Sequence, residues 1–185
     1  MRIIAGDARS RKLVTPPGQD TRPTSDRVKE TLFNVMAPYL YADSVFLDLF
    51  SGSGAIGLEA LSRGALRCVF VENSKIALKC INENIKTCRY EDRSKVLPYD
   101  ALSALRLLEG KENFDLIFMD PPYNKGYEEK VLEMLTDLSL LKEDGLVICE
   151  SSVSTDYSFA SDLGFEIIKV KEYKNNKHVF MRKKE

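Results

Sequence analysis

Residues 44–57 read Ser44-Val-Phe-Leu-Asp-Leu-Phe-Ser-Gly-Ser-Gly-Ala-Ile-Gly57, and this stretch decides the fold. The apolar run broken by one carboxylate, Asp48, predicts a buried strand over 44–50. Gly52, Gly54 and Gly57 follow with the spacing G-x-G-x-x-G, and a helix continues through about Ser62. Strand, glycine turn and helix in that order open a parallel α/β unit, whose glycines permit a tight turn and let a ligand approach the backbone.

Strand and helix patterns then alternate. Arg67–Glu72 reads as a strand, and Ala77, Cys80, Ile81, Asn84, Ile85 and Cys88 share a helical face. Lys95–Pro98 is a short strand, Leu102, Leu105 and Leu108 mark a helix, and Phe114–Met119 is a fourth strand. Tyr127, Val131, Leu135 and Leu138 recur at helical spacing before a strand at Leu146–Cys149. Glu166–Lys171 and His178–Arg182 alternate like antiparallel strands about a turn at Asn175-Asn176. The pattern predicts an α/β, Rossmann-like fold: a seven-stranded, mostly parallel sheet with helices on both faces.

Residues 1–43 differ. They hold two strand-like runs, Arg2–Ala5 and Lys12–Thr15, a break at Pro16-Pro17-Gly18, and an amphipathic helix from about Ser25 to Met36. Thr24 or Ser25 can cap that helix, with Asp26 in its first turn. The expected organisation is a small hairpin-and-helix extension over 1–43 and a main domain over 44–185.

A chain of 185 residues supports one full core, and with 44% hydrophobic and 30% charged residues it has no disordered composition. No apolar run reaches the ~18–20 residues of a membrane span, and the start has no secretory pattern, so a cytoplasmic protein is expected. Cys68, Cys80, Cys88 and Cys149 form no C-x-x-C pair and His178 is the sole histidine, so no metal site is expected. Net charge is −1, but residues 1–36 carry +3, 165–185 carry +4 and 37–164 carry −8. Basic ends about an acidic centre suit a phosphate-bearing partner and a site that handles a cation or an amine. An unevenly charged solvated surface is the plain alternative.

The glycine turn, with Glu72 twenty residues after Gly52 at the end of the next strand, fits a nucleoside-bearing cofactor, and serves a nicotinamide dinucleotide as well as S-adenosylmethionine. Asp48 favours the second, because a carboxylate there opposes a pyrophosphate and attracts a cationic methionine portion. Asp100, after the third strand, stands where it can accept from an adenine amino group. The candidate cofactor residues are Asp48, Phe50, Ser51, Gly52, Ser53, Gly54, Glu72, Asn73, Asp100 and Ala101.

Asp120-Pro121-Pro122-Tyr123 ends the fourth strand. The prolines fix the backbone and remove two donors, which leaves acceptors beside a stacking ring. Such a patch suits a planar base carrying an exocyclic amino group, and these four are the candidate catalytic residues. A strand-ending turn is the bland reading.

These residues resemble a class I S-adenosylmethionine-dependent methyltransferase, and more narrowly the RsmD family. Arg2–Gly6 with Arg11–Leu13 resembles the family's first strand pair, Arg22–Asn34 its most distinctive signature, Leu47–Ser62 its cofactor loop and Asp120–Tyr123 its catalytic motif. The resemblance thins after about residue 151. It implies methyl transfer from S-adenosylmethionine to the N2 amino group of a guanine in 16S ribosomal RNA, with the small subunit or its assembly intermediate as partner. Arg9, Arg11, Lys12, Arg22, Thr24 and Arg27 are the candidate substrate contacts. The alternatives are a DNA amino-methyltransferase, a protein glutamine methyltransferase, an NAD-dependent dehydrogenase and a non-catalytic RNA-binding module. The dehydrogenase lacks a suitable proton shuttle, since His178 reads as a surface or edge residue.

Overall fold

The computed structural model describes residues 1–17 and 25–184. Helix α1 (Asp26–Met36) begins at Ser25, whose hydroxyl accepts from the Val28 amide at 3.3 Å. Strand β1 (Val45–Leu49) leads into α2 (Ala55–Ser62), β2 (Arg67–Val71) into α3 (Lys75–Cys88), and β3 (Ser94–Leu97) into α4 (Ala101–Leu108). Then come β4 (Phe114–Met119), α5 (Tyr127–Asp137), β5 (Leu141–Ser152), α6 (Phe159–Asp162), β6 (Phe165–Glu172) and β7 (Asn176–Lys183).

The seven strands form one sheet in the order β3-β2-β1-β4-β5-β7-β6. β1 to β5 run parallel, and β7 lies antiparallel between β5 and β6. β1 thus has β2 on one side and β4 on the other, and this reversal of strand order opens a crevice at the carboxyl ends. The predicted architecture is the observed one.

Because successive side chains in a strand point to opposite faces, two cores form. Val45, Leu47, Leu49, Val69, Val71, Ile117, Met119, Val147 and Cys149 pack with residues of α4, α5 and α6. Phe46, Phe70, Leu116, Phe118, Leu146, Ile148 and Phe180 pack with α2, α3 and the N-terminal residues Ile3, Leu13, Leu32, Phe33 and Met36. The N-terminal extension therefore shares the second core.

Three expectations need correction, and one element, α6, is new. The two N-terminal strands reduce to one antiparallel bridge between Arg2 and Lys12, because the Ile4 and Ala5 amides donate to the Glu59 carboxylate (2.9 and 3.0 Å) and not to a partner strand. β5 starts at Leu141, five residues before the apolar run, because Leu141 pairs with Phe114 ahead of a register shift. The four-residue α6 has too little length for periodicity to reveal it. His178 is fully buried within the sheet.

Candidate active site

Asp48 is the first candidate side chain along the crevice. In β1 it points to the α2 side, where its Oδ2 accepts from the Gly57 amide at 3.0 Å. It is almost wholly enclosed, and burial pushes its pKa up to about 8; the Gly57 hydrogen bond opposes that rise and the Glu72 charge adds to it. Asp48 thus anchors the α2 N-terminus from beneath the glycine turn.

The turn is braced from several sides. Phe50 adopts φ +60°, and Gly52 and Gly54 follow at +55° and +76°. A Cβ on Gly52 would meet nothing within 4 Å, so the turn faces open space there. The Ser51 hydroxyl bonds to the backbone of Asp48 (2.6 Å) and Val71 (3.0 and 3.2 Å), which ties β1 to β2 and spends it internally. The Ser53 carbonyl accepts from Asn84 Nδ2 at 2.9 Å. Asn84 also binds both backbone groups of Val14 (2.8 and 2.9 Å), so the N-terminal segment is stitched to the turn through one buried amide.

Glu72 has more protein partners than its sequence position suggested. Its Oε2 accepts from the Gly52 amide at 2.9 Å, and its Oε1 accepts from the amides of Asn73 and Ser74 at 2.9 and 2.8 Å. It locks the turn to the start of α3. A cleft opens beside it, lined by Phe50, Glu72, Asn73, Asp100 and Ala101, and by Val71, Tyr99 and Tyr127. The structure therefore brings five of the expected cofactor residues to one wall, with Asp48 and Ser51 behind them. Asp100 caps α4 through the Ser103 amide at 3.0 Å, and hydrogen bonding to Ser103 holds its carboxyl below the usual range.

Tyr99 and Tyr127 were missed as cleft residues. Each adjoins a recognisable signal: Tyr99 precedes Asp100, and Tyr127 opens α5. The Tyr127 ring meets Phe50 edge-on at 5.1 Å. Three aromatic rings on one cleft suit a flat purine.

Across the crevice, Asp120 follows β4 and Glu150 lies near the end of β5; the preceding residues, Met119 and Cys149, are register partners. Solvent reaches Asp120, but the surrounding protein, Glu150 and Asp48 hold its carboxyl well above the ordinary range. Pro121 is buried, and Pro122 and Tyr123 are exposed. The Tyr123 phenol is pushed up to about 12 by desolvation, then by Asp120 and Glu150. Acidic side chains from β1, the end of β4 and β5 thus share one end of the sheet, where a bound cation would favour their ionised forms.

Among the expected substrate contacts, Arg9, Lys12 and Arg27 are exposed. Arg11 donates to the Thr87 carbonyl at the end of α3. Arg22 and Thr24 lie outside the described residues. No group of three or more potential metal ligands occurs among the described residues, and no helix there is long and apolar enough to cross a membrane.

The family model described as Conserved hypothetical protein 95 matches residues 1–182. The Bacillus subtilis protein YlbH is 39% identical over 151 residues, which is 81% of this chain and 82% of that protein. The Haemophilus influenzae protein named Ribosomal RNA small subunit methyltransferase D is 38% identical over 82% of this chain and 78% of its own length. Among solved structures, yhhF from Escherichia coli superposes with a TM-score of 0.87 at 33% identity, covering 100% of this chain and 98% of that one. The chain belongs to the Conserved hypothetical protein 95 family, the RsmD family of RNA methyltransferases.

Proposed function

We propose that this protein transfers a methyl group from S-adenosylmethionine to the N2 amino group of a guanine in 16S ribosomal RNA, acting in the cytoplasm on the small subunit or its assembly intermediate. The observation that carries this reading is the position of Asp120-Pro121-Pro122-Tyr123, at the end of β4 and across the strand-order reversal from the cleft.

The residues present fit the cofactor. Phe50, Tyr99 and Tyr127 suit the adenine ring, with Asp100 and Ala101 at its edge. Glu72 and Asn73 suit the ribose, and Gly52, Ser53 and Gly54 give backbone that a methionine portion can approach. The acidic groups of Asp48, Asp120 and Glu150 suit a positive charge, whose arrival lowers the raised pKa values of the first two and favours their ionised forms. Bound there, S-adenosylmethionine supplies an electrophilic methyl group on a sulfonium.

An aryl amine is a weak nucleophile because its lone pair is delocalised into the ring. Asp120 and the Pro121 carbonyl accept its N–H groups and turn the lone pair towards the methyl, while the exposed Tyr123 ring stacks on the base. Held by the cleft residues, the cofactor would supply the methyl group to that lone pair and keep the electrons of the methyl–sulfur bond on its sulfur. The methylated amine is strongly acidic, and its N–H proton would pass to Asp120 in its ionised form or to water. Positioning and preorganised charge supply most of the acceleration. The target base must leave its stack to reach this site. Residues 1–43 serve as the substrate-contacting extension, with Arg9, Lys12 and Arg27 on phosphates and Arg22 and Thr24 assigned by resemblance alone.

The test is incubation of small subunits lacking the modification with the protein and labelled cofactor, then nuclease digestion and mass spectrometry. N2-methylguanosine is the expected product. Methylation confined to another atom, to DNA or to protein overturns the reading.

A further inference from the structure

The basic C-terminal end of the chain, net +4 over residues 165–185, takes no part in the chemistry above, and the fold splits it in two. β7 runs antiparallel to β5 and pairs Asn176 with Ser152 and Met181 with Val147. The β6–β7 turn, closed by the Tyr173 amide donating to the Asn176 carbonyl at 2.8 Å, therefore lies at the carboxyl ends of β4 and β5, the end that holds Asp120. Arg182, Lys183 and Lys184 lie at the other end. There Arg182 pairs with Glu166, and Lys184 donates to the Ser161 carbonyl and hydroxyl at 3.0 and 2.7 Å.

Pairing also sorts the remaining lysines by face, because directly opposed residues of an antiparallel pair project to the same side. Lys169 opposes Phe180, and Lys171 opposes His178. Phe180 packs in the core that holds Phe118 and, from the N-terminal extension, Leu32 and Phe33. By the two-residue period of a strand, His178 shares the Phe180 side, and Asp120 shares the Phe118 side. Lys169 and Lys171 thus stand on the face that carries both Asp120 and the extension. Lys177 stands on the opposite face, where it donates to the Thr155 carbonyl at 2.8 Å and lies 5.5 Å from the centre of the Tyr157 ring.

Lys171, His178 and Glu150 form one row across β6, β7 and β5, and Asp120, next after the Met119–Cys149 pair, continues it. Three strand spacings separate Asp120 from Lys171, about 14 Å. Lys169 and Lys174 are exposed and Lys171 is half-exposed, and none of the three has a hydrogen bond or ion pair among the described residues.

We propose that Lys169, Lys171 and Lys174 form a second RNA-contacting edge, separate from the N-terminal extension, which binds backbone phosphates flanking the target guanine. This rests on the reading of RNA as substrate given above. Residues 37–164 carry −8 and repel a polyanion, so the phosphates nearest the site have to be met by basic groups at its rim. Lysine meets them as a point charge, without the geometric demand of base recognition. Lysines on an edge strand can also serve only to prevent pairing with another chain, and the experiment separates the two roles.

Affinity of the full chain for small subunits lacking the modification is measured over a range of salt concentrations. Lys169→Gln, Lys171→Gln and Lys174→Gln together are expected to weaken binding about tenfold at low salt and to reduce the slope of log affinity against log salt by roughly 2. Affinity for S-adenosylmethionine should stay at the wild-type value, and Lys169→Arg, Lys171→Arg and Lys174→Arg together should restore the slope. Lys111→Gln with Lys183→Gln removes charge at the opposite end of the sheet and should leave the slope where it was. A slope unmoved in the triple glutamine variant, or reduced as much per charge by the control pair, overturns the inference. An unmoved slope with self-association of the variant assigns the lysines to edge protection and overturns it too. If the wild-type protein binds subunits but transfers no methyl group to RNA, the proposed function fails and the slope still decides this point; if it binds none, both fall.

Discussion

Lys29 Nζ lies 3.0 Å from Glu59 Oε2, and neither side chain is more than 1% exposed. This ion pair joins α1 to α2 inside the second core. Lys29 also donates to the Arg2 carbonyl at 2.6 Å, and Glu59 accepts from Ile4, Ala5 and Arg63. A buried charge is tolerated only when its hydrogen-bonding capacity is filled. Here all of these groups but Arg63 belong to the N-terminal segment, so the pair docks the extension onto the main domain.

Removing one partner should therefore cost far more than a surface pair would. Glu59→Leu is expected to lose about 3–5 kcal/mol in urea unfolding, because Lys29 and two amides are left unpaired. Exposed Arg2–Asp26, at 2.8 Å, should contribute less than about 1 kcal/mol. Equal losses for Glu59→Leu and Asp26→Ala would refute the docking role.

The glycine turn gives a paired contrast. A Cβ on Gly57 would come within 2.4 Å of the Phe70 ring and 2.6 Å of Cys68 Sγ, both enclosed. Gly57→Ala should destabilise the fold by about 1–3 kcal/mol through overpacking. Gly52 has open space in front of it but φ +55°, so Gly52→Ala should cost only about 1 kcal/mol while weakening cofactor binding. Calorimetry with S-adenosylmethionine, beside urea unfolding, separates the two effects. The contrast is wrong if Gly57→Ala is as stable as wild type.

Much of this architecture was legible from residue pattern. Runs such as Phe114–Met119 are apolar at both parities because both faces are covered, so strand and burial come from one signal. The glycine spacing located the turn, and Asp120–Tyr123 located the far wall. What the pattern lacked was partner information. His178 read as an edge residue because alternation in a strand does not say what lies beside it. Its burial depends on Glu150, 28 residues away, and on Tyr173. Glu72 and Ser51 read as ligand contacts because their types suit ligands, and the structure shows them also holding the turn's own backbone. The short α6 and the early start of β5 are set by packing, not by local propensity.

Asp48 links the site to pH. A carboxyl with a folded-state pKa near 8 and an unfolded value near 3.9 binds its proton more tightly when folded. Between those values the folded state carries more protons than the unfolded one, so stability falls as pH rises through the window. Asp48→Asn keeps an oxygen to accept from Gly57 and cannot ionise. Urea unfolding at pH 5 and pH 8 should show a smaller loss across the window in the variant than in wild type. Equal losses would mean that Asp48 ionises as freely in the folded protein as in the unfolded chain.

Charge at the N-terminal segment should act on RNA affinity alone. Arg9 and Lys12 are exposed, whereas Arg11 is already engaged by the Thr87 carbonyl. Neutralising Arg9 and Lys12 together should raise the KM for RNA, lower the slope of log affinity against log salt by roughly 1–2, and leave S-adenosylmethionine affinity as it was. The salt slope is the deciding measurement, because a folding defect raises KM without changing the number of counterions released. An unchanged slope would remove the Arg2–Lys12 turn from the RNA interface and leave α1, through Arg27, as the described part of the extension that touches phosphate.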